Sequence, residues 1–256
     1  MLVYLVPGFV VKSTDQGNTW NFVEKNNGSM WNGIFFSKLN YGLYLYGSNN
    51  SNQWYILSSS NTGSTWEALD FFTGSATAQF PSGSVYSFTE CINLSTTGSN
   101  YTVFLAGGAV TTGSNPNNIW AVRSNLYNAI ANKNSNIWGV VELLSGTTPS
   151  EMYSCNGLAA LENKGVTKQG IVTAYGVGSF GSKWFTAREY NLDSLATTQF
   201  WRSGNFYTYT GSISVSGNIA YGCAIAQYGD DLRSQNTLYV TRKSKGYCFG
   251  LYSCYY

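Results

Sequence analysis

The chain of 256 residues contains no histidine, which removes the commonest general base of enzymes and the commonest zinc ligand. Without histidine, the Ser-His-Asp and Cys-His arrangements of nucleophilic catalysis are excluded as well. Charged residues are also scarce, at 10% of the chain with a net charge of +2. Because nucleic-acid binding depends on clustered positive charge, we expect no nucleic-acid partner.

Other site-forming features are missing too. The five cysteines do not have the spacing of a metal site, and no glycine-rich loop has the spacing that binds phosphates. We therefore predict no cofactor and no metal. No run approaches the ~20 apolar residues of a membrane-spanning helix, so we predict no membrane span. What remains is the chemistry of carboxylate, arginine and tyrosine side chains, which is that of glycosidases and, with a tyrosine nucleophile, of sialidases.

Two eight-residue segments of the sequence, residues 13–20 and 59–66, are nearly the same. Each contains an Asp or Asn, whose short side chain accepts hydrogen bonds from nearby backbone N–H groups, and a Gly, which permits the positive φ of a tight turn. We therefore predict that these residues hold a loop and do not catalyse. The shared residues are Ser13, Asp15, Gly17 and Trp20 in the first segment and Ser59, Asn61, Gly63 and Trp66 in the second.

The shared pattern, Ser-x-Asp/Asn-x-Gly-x-Thr-Trp, resembles the Asp-box, or bacterial neuraminidase repeat. The resemblance implies a β-propeller in which each box joins the third and fourth strands of a blade. The strand that leads into each box begins with an aromatic residue and reaches a polar residue three positions later, and this pattern returns along the chain. Its five copies are residues 9–12, 55–58, 120–123, 185–188 and 239–242.

The composition agrees with a fold made of short strands and turns. Aromatic residues make up 16% of the chain, and 28 glycines outnumber 4 prolines. Short alternating runs bounded by Gly, Asn and Ser are typical of strands. We therefore predict an all-β fold, a single five-bladed β-propeller of four-stranded antiparallel blades with Asp-box hairpins between the third and fourth strands. The predicted blades are residues 1–25, 30–73, 84–144, 152–203 and 205–256, all within one domain.

The first predicted blade begins at its second strand, which leaves three alternatives open. The blade has three strands, or the C-terminal tail supplies the missing strand, or the chain is a piece of a longer protein.

Two sets of side chains are candidates for ligand binding. Four aromatic residues stand at or just after the junctions into blades two to five, where they either pack between blades, which we favour, or form an exposed ring that stacks on sugars. These are Trp31, Tyr86, Tyr153 and Tyr207. Three arginines, Arg123, Arg188 and Arg242, occupy equivalent positions in blades three to five. Lys12 occupies the corresponding position in blade one. The likeness to sialidases implies that such a ring grips an acidic sugar, but the favoured alternative is a basic residue on the solvent side of each strand.

Three functions remain. We predict a non-catalytic extracellular or virion-surface propeller that acts in attachment or recognition of a glycan or surface protein, because Tyr, Trp, Asn and Ser side chains suit sugar binding. The alternatives are a structural virion or cell-surface subunit packed against neighbouring subunits, and a sialidase-like glycosidase. No enzyme activity is expected. The acids available to a glycosidase are Asp70, Glu90, Glu189, Asp193, Asp230 and Asp231.

Overall fold

The computed structural model confirms the all-β prediction, with antiparallel sheets of four strands. It describes residues 2–6, 9–25, 29–75, 78–94, 100–112, 115–125, 138–145, 153–163, 171–180, 183–193, 202–209, 219–228, 235–244 and 247–254. Within these ranges no helix is long and apolar enough to cross a membrane.

The described strands form five antiparallel sheets in chain order and one short hairpin. The first sheet consists of β1 (Leu2–Val6), β2 (Phe9–Ser13) and β3 (Asn21–Lys25). The second consists of β4 (Met30–Phe36), β5 (Leu43–Ser48), β6 (Trp54–Ser59) and β7 (Glu67–Phe72), and the hairpin of β8 (Gly74–Ser75) and β9 (Ala78–Gln79) follows it. The third consists of β10 (Ser82–Leu94), β11 (Asn100–Thr112), β12 (Asn115–Ser124) and β13 (Gly139–Leu144). The fourth consists of β14 (Tyr153–Asn163), β15 (Ile171–Phe180), β16 (Lys183–Asp193) and β17 (Arg202–Tyr209). The fifth consists of β18 (Ile219–Tyr228), β19 (Gln235–Ser244) and β20 (Tyr247–Cys254).

The sheets pack face to face in chain order. Strand β10 contacts β4, β5 and β6, and β14 contacts β10, β11 and β12. Trp54 and Ile56 are fully buried between the second and third sheets, and Trp120 and Tyr190 between the third and fourth. Val10 of the first sheet packs in the same way against the second. Apolar side chains of the first four sheets therefore form the layers that hold these sheets together.

The described strands differ from the predicted blades in two respects. The first and fifth sheets each have three described strands, whereas four-stranded blades were expected. Strand β17 continues to Tyr209 and pairs with β16, so the predicted boundary at residues 203–205 falls inside a strand of the fourth sheet. The pairing of Tyr207 with Ala187 fixes this strand, and no sequence pattern signalled that pairing.

The first strands of the second, third and fourth sheets each contain a β-bulge at the same place. The pairing register skips one residue at Asn32 in β4, at Tyr86 in β10 and at Asn156 in β14. We call these three residues the bulge row. A bulge adds a residue outside the ladder and redirects its side chain, and bulges are frequent next to functional sites. The row lies near the starting end of the sheets, meaning the end where each first strand begins.

A glycine on the second strand lies opposite each bulge. These glycines are Gly47, Gly108 and Gly178, paired with the residue before the bulge. A Cβ atom at any of them would collide with a carbonyl oxygen of the first strand, that of Met30, Ser84 or Ser154 respectively. The bulge brings the two backbones so close that only glycine fits there.

We expect Gly108→Ala to destabilise the protein by about 1–3 kcal/mol, because backbone atoms must move to admit the new methyl group. Urea unfolding followed by tryptophan fluorescence measures the change. The matched control is Gly42→Ala, where the nearest atoms to a new Cβ belong to the side chains of Tyr44 and Asn40, at 3.0–3.2 Å, so that a shift of a few tenths of an ångström suffices. Equal midpoints for Gly108→Ala and the unmodified protein would contradict the close approach.

Candidate functional site

The first of the two similar segments forms the loop between β2 and β3. The Ser13 hydroxyl donates to Asp15 Oδ1 at 2.7 Å and accepts from the Gly17 amide at 2.7 Å. The Asp15 carboxylate also accepts from the Thr19 amide at 2.9 Å and from the Thr19 hydroxyl at 2.6 Å. Gly17 has a φ of 98°, and Trp20 follows at the end of the loop. These bonds hold the loop closed.

The second segment repeats this geometry between β6 and β7. The Ser59 hydroxyl donates to Asn61 Oδ1 at 3.0 Å and accepts from the Gly63 amide at 2.8 Å. The Thr65 amide donates to Asn61 Oδ1 at 2.9 Å. Trp66 packs between the first two sheets. The side chains of both segments are thus engaged in loop structure, and the loops lie at the opposite end of the sheets from the bulge row.

Arg123 on β12 lies in the interface between the second and third sheets. Its guanidinium donates to both oxygens of Asp70 on β7, at 2.7 and 2.8 Å, and to the Trp138 carbonyl at 3.1 Å. Trp54 donates its indole N–H to the same carboxylate at 2.9 Å. The guanidinium also lies 3.9 Å above the centre of the Phe72 ring. Arg123 is only 5% exposed, so its positive charge is paired with Asp70 in the interior of the protein.

Arg188 on β16 makes the corresponding contact between the third and fourth sheets. It donates to the Glu142 carboxylate on β13 at 2.7–3.0 Å, and these hydrogen bonds raise the pKa of the arginine. The Tyr190 hydroxyl donates to Glu142 at 2.9 Å and accepts from the Trp120 indole at 3.0 Å. Burial raises the pKa of Tyr190 well above its ordinary value. A tyrosine beside a carboxylate has the chemistry of a sialidase nucleophile, but no substrate reaches this buried ring.

We call each of these contacts an inter-sheet clasp: a carboxylate on the fourth strand of one sheet and an arginine on the third strand of the next. In this structure neither Arg123 nor Arg188 is presented to a ligand, and neither lies on the solvent side of its strand. The sequence reasoning grouped them as a ring but missed their partners Asp70 and Glu142, since the two halves of each clasp lie on different sheets.

Lys12 does not belong to the same set. In strands β2, β6 and β12 the register of pairing with the next strand shifts just before one position, which is occupied by Val11, Leu57 and Arg123 respectively. Lys12 is one residue further on, and a one-residue offset in a strand places the side chain on the other face. Its ammonium group accordingly donates to the Thr62 hydroxyl at 3.2 Å in an exposed position.

The four aromatic residues that were predicted to occupy equivalent positions lie in different environments. Trp31 is half-buried and precedes the bulge of β4. Tyr86 is itself the bulge residue of β10 and is 38% exposed. Tyr153 opens β14 but is buried, with its ring edge-on to Phe180 at 4.7 Å. The structurally equivalent residues are therefore those of the bulge row and not one aromatic residue per junction.

Two predicted residues lie where the structure gives the backbone alone. Tyr207 lies in β17 opposite Ala187, so it does not open a first strand. Arg242 lies in β19 opposite Tyr221. The side chains of Tyr207 and Arg242 lie outside the described residues.

The bulge row offers uncharged hydrogen-bonding groups on neighbouring first strands. Asn32 donates its amide to the Ser84 hydroxyl at 2.8 Å and to the Val85 carbonyl at 2.7 Å, which ties β4 to β10. Burial raises the pKa of Tyr86 although part of its side chain remains exposed. Asn156 completes the row, half-buried on β14. Sequence reasoning named Tyr86 but missed the two asparagines, and the only signal was the glycine opposite each bulge.

The described candidate acids all make structural contacts. Asp70 belongs to a clasp, Glu90 accepts hydrogen bonds from the Ser37 hydroxyl and from the Lys38 amide, and Glu189 accepts from the Asn191 amide group. The side chain of Asp193 and all of Asp230 and Asp231 lie outside the described residues. Among the residues that the structure describes, no group of three or more acids and cysteines could hold a metal ion.

No family model and no curated protein matches the chain. Two solved structures align with most of this chain. The α-L-arabinanase of Penicillium chrysogenum complexed with arabinobiose is 12% identical, with a TM-score of 0.41 over 94% of this chain and 71% of that chain. A glycoside hydrolase family 43 endo-arabinanase of Bacillus licheniformis is 13% identical, with a TM-score of 0.38 over 90% of this chain and 81% of that chain. These arabinanases are five-bladed β-propeller enzymes.

The comparison corrects the predicted function. A non-catalytic propeller acting in attachment or recognition, without enzyme activity, is contradicted, since both similar structures are glycoside hydrolases. Of the alternatives derived from the sequence, the glycosidase agrees better with them.

We expect Arg123→Met to destabilise the protein by about 3–5 kcal/mol, because it leaves the Asp70 carboxylate buried without its cation. The double variant Asp70→Asn/Arg123→Met removes that charge while leaving an acceptor for the Trp54 indole, and should recover part of the loss. Urea midpoints of the two variants test this. A single variant as stable as the unmodified protein would show that the clasp contributes nothing.

We expect the free energy of unfolding to decrease at acidic pH, because Asp15 becomes protonated there. Hydrogen bonds from Thr19 and Ser13 lower the pKa of Asp15 from 3.8 to about 2. A lowered pKa in the folded state stabilises the fold above the unfolded value, and this contribution disappears as pH falls through the folded value. We therefore expect Asp15→Asn to flatten the dependence of melting temperature on pH between 4 and 2. An unchanged slope would show that the loop bonds do not hold Asp15 ionised.

Proposed function

We propose that this chain is a glycoside hydrolase on a five-bladed β-propeller of the Asp-box type, and that the bulge row is part of its substrate site. The observation that carries the proposal is the same bulge in three consecutive first strands. Each bulge requires a glycine opposite it and interrupts the regular pairing of the strands. Because the interruption recurs in three consecutive sheets, we infer that the extra residues serve a function. They gather two amide groups and a phenol at one end of the sheets.

The chemistry of the row suits a neutral sugar. Asn32 uses both amide hydrogens on Ser84 and Val85, so it offers a sugar hydroxyl its Oδ1 acceptor. Tyr86 offers a hydroxyl and an aromatic face that stacks on sugar C–H groups. The Tyr86 hydroxyl can donate as well as accept hydrogen bonds. Since Arg123 and Arg188 are held in the clasps, they do not supply the cations that an acidic sugar requires. We infer a neutral glycan as substrate.

The five blades correspond to the five sheets, and the two boxes join equivalent strands of the first and second. Glycoside hydrolysis needs two carboxylates, about 5–5.5 Å apart for retention or about 6.5–9.5 Å for inversion. The described candidate acids are engaged in structural contacts. Asp230 and Asp231 lie in sequence between β18 and β19, and these two adjacent acids are therefore the first to test. An extracellular or virion setting remains a prediction from composition.

The test is release of reducing ends from neutral polysaccharides, including arabinan and xylan, and from a sialylated oligosaccharide. We expect turnover of a neutral substrate and none of the sialylated one. Asp230→Asn or Asp231→Asn should lower kcat by about 10²–10⁴-fold, as loss of a general acid or base does. Glu67→Gln, an exposed acid on β7, is the control and should keep full activity.

Tyr86→Phe separates binding from folding. It keeps the ring and removes one hydroxyl, and a lost neutral hydrogen bond of about 0.5–1.5 kcal/mol lowers kcat/KM by about 2–12-fold. The melting temperature should not change. Absence of hydrolysis on every substrate would refute the proposed activity, and full activity of Tyr86→Phe would remove the bulge row from the site.

A further inference from the structure

We infer that the hairpin between β4 and β5, residues 37–42, carries a second, non-catalytic carbohydrate contact site formed by Tyr41 and Phe36. This site goes beyond the proposed function and does not depend on it. It lies at the other end of β4 from Asn32, four residues or about 13 Å along the strand. We call it the Tyr41 site.

The two rings are among the most exposed aromatic side chains that the structure describes. Tyr41 is 73% exposed and Phe36 is 48% exposed. Their ring centres are 6.4 Å apart with an angle of 53° between the planes, so that they form an open notch and not a closed stack. Leaving two large apolar rings in water costs free energy that burial elsewhere would recover.

The hairpin that presents Tyr41 is rigid. The Ser37 amide donates to the Gly42 carbonyl at 2.9 Å, and the Tyr41 amide donates to the Ser37 carbonyl at 3.0 Å. The Gly42 amide donates to Asn40 Oδ1 at 3.0 Å. Glu90 of the next sheet holds the hairpin in place, because its carboxylate accepts a hydrogen bond from the Ser37 hydroxyl and another, at 2.8 Å, from the Lys38 amide. A ring held on such a frame loses little conformational entropy when a ligand binds.

The backbone at Tyr41 is strained. Its φ of 59° lies in the left-handed region, which is rare for a bulky residue but well tolerated by asparagine and glycine. A tyrosine is thus present at a position where Asn would be more stable. A strained position that also exposes a large ring is expected where the ring serves contact with another molecule.

A sugar fits this site better than a protein does. Specific protein interfaces bury about 800 Å² per partner around an apolar centre. Here the apolar part is limited to two rings, and the neighbouring exposed side chains are Lys38 and Asn40. An apolar ring face beside amide and ammonium groups matches the C–H face and hydroxyl rim of a sugar ring. We therefore assign the Tyr41 site to one or two residues of a glycan chain.

The experiment uses Tyr41→Asn in the full chain. Asparagine relieves the strained backbone but removes the ring, so binding and stability should change in opposite directions. Affinity electrophoresis in gels containing arabinan, xylan or mannan measures binding, and thermal unfolding measures stability. We expect at least one polysaccharide to retard the unmodified protein, with the apparent Kd about 5–10-fold weaker for Tyr41→Asn and the melting temperature equal or higher.

Phe71→Thr is the matched control, because it removes another exposed ring from a strand of the same sheet and should leave retardation unchanged. Retardation without hydrolysis would support the Tyr41 site while refuting the proposed enzyme. No retardation of the unmodified protein, unchanged retardation of Tyr41→Asn, or an equal loss with Phe71→Thr would each overturn the inference. Self-association that Tyr41→Asn abolishes would also overturn it in favour of a protein contact.

Discussion

The arrangement of the central sheets depends on the buried charge of the inter-sheet clasps. A carboxylate removed from water needs a cation and further donors, and Asp70 obtains both from Arg123 and Trp54. Glu142 is satisfied in the same way by Arg188 and Tyr190. Because each clasp joins two sheets, its short distances allow one relative position of those sheets, which apolar packing alone would define less sharply.

The clasps also determine which charged side chains remain available for ligand contact at the surface. The two described arginines that could have met an acidic ligand neutralise acids inside the fold. Among the described residues, the starting end of the sheets presents the bulge row, and the opposite end presents the two loops and the Tyr41 hairpin. The length of the first strands separates these two ends.

The sequence could predict features that depend on neighbouring residues. The two box loops close through bonds within a few positions of Asp15 and Asn61, so their pattern was visible. The sequence could not predict ion pairs between residues of different sheets, because Arg123 and Asp70 are 53 residues apart and Arg188 and Glu142 are 46 residues apart. The bulges were hidden for a similar reason, because a bulge exists only relative to a partner strand. The face of Lys12 was misjudged by a single residue, which suffices to reverse a side chain in a strand.

The bulges have a consequence for how this protein can change. The residues on either side of Asn32 pair with consecutive residues of β5, so Asn32 is additional to the ladder and not a member of it. The same holds for Tyr86 and Asn156. We therefore expect substitution at these three positions to leave the register of the strands unchanged. If the bulge row contacts substrate as proposed, its residues can vary in evolution without a change in the packed interior.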